Sequence, residues 1–393
     1  MNKNYTTKGF CLKAVLFHLF FIFPLLVIAQ TNTNGSGANA IPTAVPFLNI
    51  SPDSRSGALG EAGVAISPDA NANFWNPSKL AFIEDNNAVS ISYSPWLRQL
   101  APDISLSYLS FAHRVDSRNT LGASLRYFNL GSIQLIDANQ VDQGTYRPSE
   151  LSFDVSFARK FGDDFSLGLT GRYIRSDLSN QSFSTGSTQQ TKTGNAVAAD
   201  VSLYYKKDGQ QFGVPSLFAF GVNISNIGTK ISYVDNGPQY FLPTNLKIGA
   251  ANTWKVDALN NITLMLDLNK LLVPTPPIRD GNGNIIQGKD DNVSVPSGIF
   301  GSFTDAPNGF KEEMQEISLS PAIEYSYANI LALRAGYFYE NPNKGNRQYF
   351  TMGVGLKYNV YSFDFSYLAA QQKSSPLANT LRFTLSANFG STK

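Results

Sequence analysis

The chain has 393 residues, of which 42% are hydrophobic, 12% aromatic and only 15% charged, and its mean hydropathy is −0.15. That is too polar for a bundle of membrane helices, while the length allows one large domain or two. The formal charge of +2 comes from the extreme N-terminus: without Lys3, Lys8 and Lys13, 28 basic residues face 29 acidic ones, so charge gives no ground for nucleic-acid binding.

Those three lysines precede an apolar run from Ala14 to Ala29, and Val27 and Ala29 suit small-residue cleavage before Gln30. Residues 1–29 therefore read as a secretory signal peptide. A membrane anchor is the rival reading, but the run is shorter than the ~18 apolar residues of a spanning helix and contains His18 and Pro24. The single cysteine, Cys11, lies ahead of the run, so the processed chain has neither disulfide nor thiolate chemistry. His113 is then the only histidine, which rules out a His-rich metal site; it reads as an interior or rim residue.

Residues 30–41 are polar and of low complexity and read as a flexible tail. Residues 42–86 contain GALGEAGVAISPDANANFWNPSKLAF, compact but too rich in Gly and Ala to build a core. Such a segment needs an existing cavity to fill, and it is expected as a hatch or plug.

From residue 87 to the C-terminus, period-2 alternation predicts fourteen strands near 87–94, 103–115, 119–129, 149–161, 164–175, 195–207, 216–226, 243–255, 260–269, 315–326, 330–339, 347–358, 361–370 and 379–389. The last is typical: Leu381, Phe383, Leu385, Ala387 and Phe389 occupy one parity, Arg382, Thr384, Ser386 and Asn388 the other. Connections alternate in length. Those at 116–118, 162–163, 256–259, 327–329 and 359–360 are short, whereas 131–148, 176–194, 227–242 and 270–314 are long. A sandwich has no reason to gather its short turns at one end, but an outer-membrane barrel does. The expected fold is an all-β, 14-stranded antiparallel transmembrane barrel over 87–393, with 270–314 as a long extracellular loop.

A charge facing lipid near mid-bilayer costs ~2–4 kcal/mol, so charged residues should take the lumen parity. By that rule Arg126, Asp154, Arg172, Asp200, Lys247, Asp267, Glu324, Arg334, Lys357, Asp364 and Arg382 point inward. Their mixed signs predict ion pairs across a filled lumen rather than the one-sign rings of a wide pore. Pro321 removes a ladder hydrogen bond from the tenth strand and predicts either a tolerated kink or a gap in the wall.

No catalytic motif is present, and no cofactor or metal site is expected. The stretch 283–290 superficially matches a phosphate loop but lacks its Ser/Thr. Asp280, Asn282 and Asn284 have calcium-loop spacing, yet Ile285 stands where the turn needs Gly, so a hairpin tip is the better account. Apolar residues in the long connections are the remaining oddity: Trp96, Leu97 and Leu100 in the first, and Leu271, Leu272, Val273, Ile299, Phe300, Phe303 and Phe310 in 270–314. They lid the barrel or join its aromatic girdle, or they form a patch for a partner protein or hydrophobic ligand, and the two readings are compatible.

The segment GALGEAGVAISPDANANFWNPSKLAF, through Gly60, Gly63, Asp69, Asn76 and Pro77, resembles the hatch entry of the FadL-like superfamily of outer-membrane barrels. Within it, the hairpin Ser92–Leu100 followed by Asp103 is similar to that of the PorV family of Bacteroidetes type IX secretion. The resemblance implies a non-enzymatic protein of the cell outer membrane. It would accept secreted cargo from the translocon through the cargo's C-terminal signal domain and shuttle it to the cell-surface attachment complex. The apolar rim residues would be the candidate surface for cargo or translocon. A FadL-like transporter of small hydrophobic molecules is the alternative.

Overall fold

The computed structural model describes residues 39–97, 101, 103–136, 139–178, 191–371 and 377–390. The expected leader (1–29), the tail up to residue 38, and Leu100 lie outside the described residues.

Fourteen antiparallel strands close into a barrel. They are β1 (Asn87–Pro95), β2 (Ser105–Arg114), β3 (Asn119–Asn129), β4 (Ser149–Lys160), β5 (Phe165–Asp177), β6 (Gly194–Gln211), β7 (Val214–Gly228), β8 (Asn245–Lys255), β9 (Asn260–Leu271), β10 (Ser318–Tyr327), β11 (Leu331–Tyr339), β12 (Gln348–Tyr358), β13 (Tyr361–Ala370) and β14 (Thr380–Phe389). β1 closes the ring on β14, from Asn87 opposite Phe389 to Tyr93 opposite Phe383, which leaves no edge to aggregate. All fourteen predicted strands are present. β6 and β7 run further than the alternation indicated, because Phe212 (φ 55) and Gly213 (φ 78) form a two-residue turn with both residues left-handed. Such turns match the strand twist and let a hairpin continue to its tip.

The parity rule holds along the wall. Phe153, Val155 and Phe157 are exposed, while Asp154 between them is 1% exposed. Arg126, Arg172, Asp200, Lys247, Asp267, Asp364 and Arg382 are likewise buried inside. Lys357 keeps the lumen parity but is exposed, because it sits at the short-turn mouth. Every connection after an even-numbered strand is short (115–118, 161–164, 212–213, 256–259, 328–330, 359–360), which gathers the short turns at one rim.

Residues 39–86 thread the barrel from one mouth to the other. At the long-loop end Asn39 N donates to Asn343 O and Ala44 N to Phe241 O. At the short-turn end Phe82 lies between the ammonium groups of Lys160 and Lys206, and Arg114 N donates to Asn86 O. Between these points the segment forms only single turns: Pro46–Asn49, Ser54–Gly57, Ala72–Trp75 and Pro77–Phe82. None could stand alone, since a helix nucleus fixes several residues for one hydrogen bond. The wall supplies the missing partners. Asp267 accepts from Gly63 N (2.7 Å) and Val64 N (2.9 Å), Asn73 Nδ2 donates to Ser110 Oγ (2.9 Å), and Gly60 N donates to Thr351 Oγ1 (2.8 Å).

The five motif residues have identifiable local duties. Gly60 has φ 61 and lies so close to β11 that a Cβ would stand 2.7 Å from the Tyr337 backbone. At Gly63 a Cβ would enter the Trp75 ring. Asp69 accepts from Arg55 (2.9 Å) and from Asn71 N (2.9 Å). Asn76 caps the turn at Pro77 through its Oδ1 and donates to Val64 O and Leu203 O, stitching hatch to wall.

The ion pairs differ in one respect from expectation. Most run sideways along the wall rather than across the lumen. Asp154 bridges Arg126 (3.5 Å) and Arg172 (2.5 Å), and Arg172 continues to Asp200 (2.8 Å), linking β3 to β6. On the opposite wall Arg334 joins Glu324 (2.6 Å) and Asp364 (2.5 Å). Among the described residues, only Arg55–Glu324 (3.4 Å) and Arg382–Glu61 (3.4 Å) cross to the hatch. The reason is geometric: same-face neighbours on adjacent strands are within side-chain reach, whereas the hatch occupies the centre.

Candidate functional site

The long-loop rim carries the candidate site. Residues 272–317, between β9 and β10, form a cap with its own local structure: a ribbon pairing 278–279 with 285–287, and helices at Val295–Gly301 and Phe310–Gln315. The ribbon tip is the hairpin anticipated for 280–284. Asp280 spends its carboxylate on Asn282 N, Asn284 N and Asn284 Nδ2, and no metal-holding cluster occurs among the described residues.

The underside of the cap is charged and buried. Lys270 Nζ reaches Glu313 (2.9 Å) and Glu316; Lys344 Nζ reaches Glu312 (2.6 Å) and Glu316 (3.0 Å). Thr275 Oγ1 donates to Glu316 (2.6 Å), and Asp305 accepts from Thr275 N (3.2 Å). Burial pushes the Asp305 carboxyl up to about 6; the Thr275 N–H opposes this and the neighbouring Glu313 and Glu316 add to it. Glu312 is held below its ordinary value: burial works against ionisation, but the Lys344 ammonium, the Asn308 N–H and the Asn39 amide together outweigh it.

The outside of the cap exposes apolar rings among its polar residues. Phe300 is 78% exposed, Phe310 79% and Phe303 46%. Ile299 is half-buried on the same helix as Phe300.

The other rim candidates lie elsewhere. Trp96 is buried, with the Arg382 guanidinium 5.6 Å from its ring centre, and packs with Phe47, Leu48 and Phe128 beneath the first connection. Leu97 is half-buried against the same cluster. Leu272 and Val273 are buried, and Leu271 lines an internal cavity. The expected rim thus divides in two: the hairpin residues and the start of the cap lid the barrel, while only the cap helices present apolar side chains outward. Alternation identifies strand faces but says nothing about how an irregular connection folds back.

Between cap and hatch lies a cavity of about 270 Å³, floored by Glu61 and Trp75 and walled by Asn245, Lys247, Asn269, Glu316, Glu340 and Arg347 among others. Neither this vestibule nor the buried cluster of Lys270, Glu312, Glu313, Glu316 and Lys344 was anticipated. A polar run such as KEEMQE reads as a solvated helix face until tertiary structure sets it over two lysines.

Pro321 marks an interruption without a change of register. Leu319 pairs with Tyr339 and Ala322 with Gly336, but the two intervening positions do not pair. The hatch backs that interruption directly, since Gly60 lies against the Tyr337 backbone.

A closed fourteen-strand barrel, apolar outside and charged inside, with its short turns on one rim, defines an outer-membrane β-barrel. The chain is similar in fold to the toluene transporter TodX of P. putida, with TM-score 0.51 at 12% identity, covering 86% of this chain and 98% of that one. It is also similar to the Ralstonia pickettii toluene transporter TbuX (TM-score 0.45, 13% identity, 86% and 98% covered) and to a Pseudomonas aeruginosa FadL homologue (TM-score 0.41, 12% identity, 90% and 100% covered). At such identities the likeness to TodX establishes architecture alone. No curated protein matches at the level of sequence. The sequence profile of the family described as "Type IX secretion system protein PorV" matches residues 32–278, and the chain belongs to that family.

Proposed function

We propose that this protein is a non-enzymatic shuttle of type IX secretion. It is exported on a cleaved leader, accepts secreted cargo from the translocon by the cargo's C-terminal signal domain, and passes it to the surface attachment complex. The observation that carries this reading is the family match together with the outward face of the cap, where Phe300, Phe303 and Phe310 expose apolar rings above a rigid charged base. Exposed apolar side chains grouped on one outward surface suit a protein partner. Ile299, Phe300 and Phe303 are retained as contact residues. Trp96, Leu97, Leu271 and Leu272 act as packing that holds the cap and first connection in place.

The alternative, a conduit for small hydrophobic molecules, has less support. The vestibule is lined largely by charged and amide groups, the hatch fills the lumen beneath it, and Gly60 backs the break beside Pro321.

The test replaces Phe300 and Phe310 by Asp in the native chromosomal copy. Surface-attached cargo should fall several-fold while the barrel still assembles. Undiminished export, with normal barrel levels, would remove the cap from the cargo path.

A further inference from the structure

Lys79 and Lys247 are both buried in the lumen without an ion pair among the described residues, but Lys79 donates to Gly63 O (2.6 Å). Lys247 projects from β8 into the vestibule and is 94% buried, yet no carboxylate lies within 4 Å of its ammonium among the described residues. Its near neighbours are instead two aromatic rings of the hatch, Trp75 at 4.4 Å and Phe74 at 4.8 Å. Rings hold a cation from behind without consuming its three N–H donors.

The acids that share the cavity are already engaged. Glu316 is held by Lys270, Lys344 and Thr275, Glu340 by Arg347 (2.8 Å), and Glu61 by Arg382 (3.4 Å). The wall beside Lys247 adds polar atoms that also lack partners. Asn269 lies directly opposite Lys247 in the β8–β9 register, and Asn245 is two residues earlier on the same face. The side-chain oxygens of both are buried and accept no hydrogen bond. Buried polar atoms are rarely left so, and two of them beside an ammonium with no carboxylate in reach mark a polar site.

We propose that the vestibule is a binding site for a carboxylate bearing an adjacent N–H or O–H, with Lys247 taking the carboxylate and Asn245 and Asn269 accepting from the donor. A free amino acid derivative and the C-terminal end of a polypeptide both carry that chemistry. The cavity opens among the long connections, so the ligand enters from outside the cell. A fatty acid is a poor fit, because the lining offers no apolar channel for its tail. The site requires only this geometry and stands apart from the cargo role.

The test is calorimetric titration of the full chain in detergent with N-acetylglycine, N-acetylglycinamide, decanoate, and a ten-residue peptide with a free or an amidated terminus. N-acetylglycine should bind saturably and at least tenfold tighter than its amide. Lys247→Met should lose at least tenfold in affinity while its heat-dependent gel mobility still reports a folded barrel. If Lys247→Met does not assemble, Asn269→Leu gives the same reading. A free-ended peptide tighter than N-acetylglycine assigns the polypeptide source; equal or weaker binding assigns the small acid. Equal binding of acid and amide, tighter binding of decanoate, no saturable binding, or a Lys247→Met protein that binds as the parent would each overturn the site.

Discussion

The hatch and the cap are both irregular segments, one running through the barrel and one covering its long-loop mouth, yet they are secured by different physics. The hatch is stitched by backbone groups to wall side chains and by glycines that allow contact closer than a Cβ permits, as at Gly60 against Tyr337. It has no exposed apolar ring. The cap is held by a few charges, Lys270 and Lys344 against Glu312, Glu313 and Glu316, and turns three phenylalanines outward. Hydrogen bonds distributed over the whole lumen make the hatch part of the barrel's own cooperative unit. Charges concentrated at one point make the cap a separable unit with its own opening equilibrium.

The sharpest way to break the comparison is through the wall that the hatch depends on. Arg172→Met strands the buried Asp200 and leaves Asp154 only its longer contact with Arg126, which should cost about 3–5 kcal/mol and lower the denaturation midpoint of barrel and hatch together. Next is Gly60→Val. A β-branched residue at φ 61, pressed against the Tyr337 backbone, should cost about 3 kcal/mol. Limited proteolysis should then cut within 42–86, and separate loss of the hatch from an otherwise unchanged barrel would argue against a shared unit.

The cap should respond more locally. Lys344→Met removes the cation from Glu312 and Glu316, and about 2 kcal/mol of local stability should go with it. Amide exchange in 310–316 should accelerate while the barrel's thermal midpoint stays put. The cap should also respond to pH. Asp305, raised from 3.8 to about 6, stabilises the closed cap fully below about pH 4 and loses that contribution as pH rises through 6. Glu312 runs the other way, contributing above 4.5 and failing as pH falls through its lowered value. Intrinsically corrected exchange over 303–316 should therefore be slower at pH 5 than at pH 7.5, and Asp305→Asn should flatten the difference. The smallest effect on stability belongs to Phe300→Asp. An exposed ring can be exchanged within about 0.5 kcal/mol, so this variant separates cargo handling from folding.

Much of the barrel was legible because strand physics is local. Alternation fixes which side chains face lipid, the cost of a charge in lipid fixes which parity is the lumen, and turn lengths fix the rims, so Asp154, Arg172 and Asp200 could be placed inside before their partners were known. The hatch motif was legible for a related reason. Gly60, Gly63 and Asn76 answer backbone demands, and such residues keep their meaning in sequence. Partnership was not legible. Whether Arg172 pairs sideways or across the lumen depends on strand register and on what fills the centre.

The rim was legible only as a composition. Trp96 and Phe300 are both apolar residues in long connections, and nothing local separates the one buried over Arg382 from the one facing water. The sequence by itself determined the number of strands, their two faces and which rim gathers the short turns, since each follows from neighbours a few residues apart. Tertiary structure alone decided which acids meet which bases, which rim residues are covered, and that Lys247 faces a cavity against two aromatic rings with no ion pair among the described residues. Those outcomes depend on contacts between residues far apart in the chain, which no local period encodes.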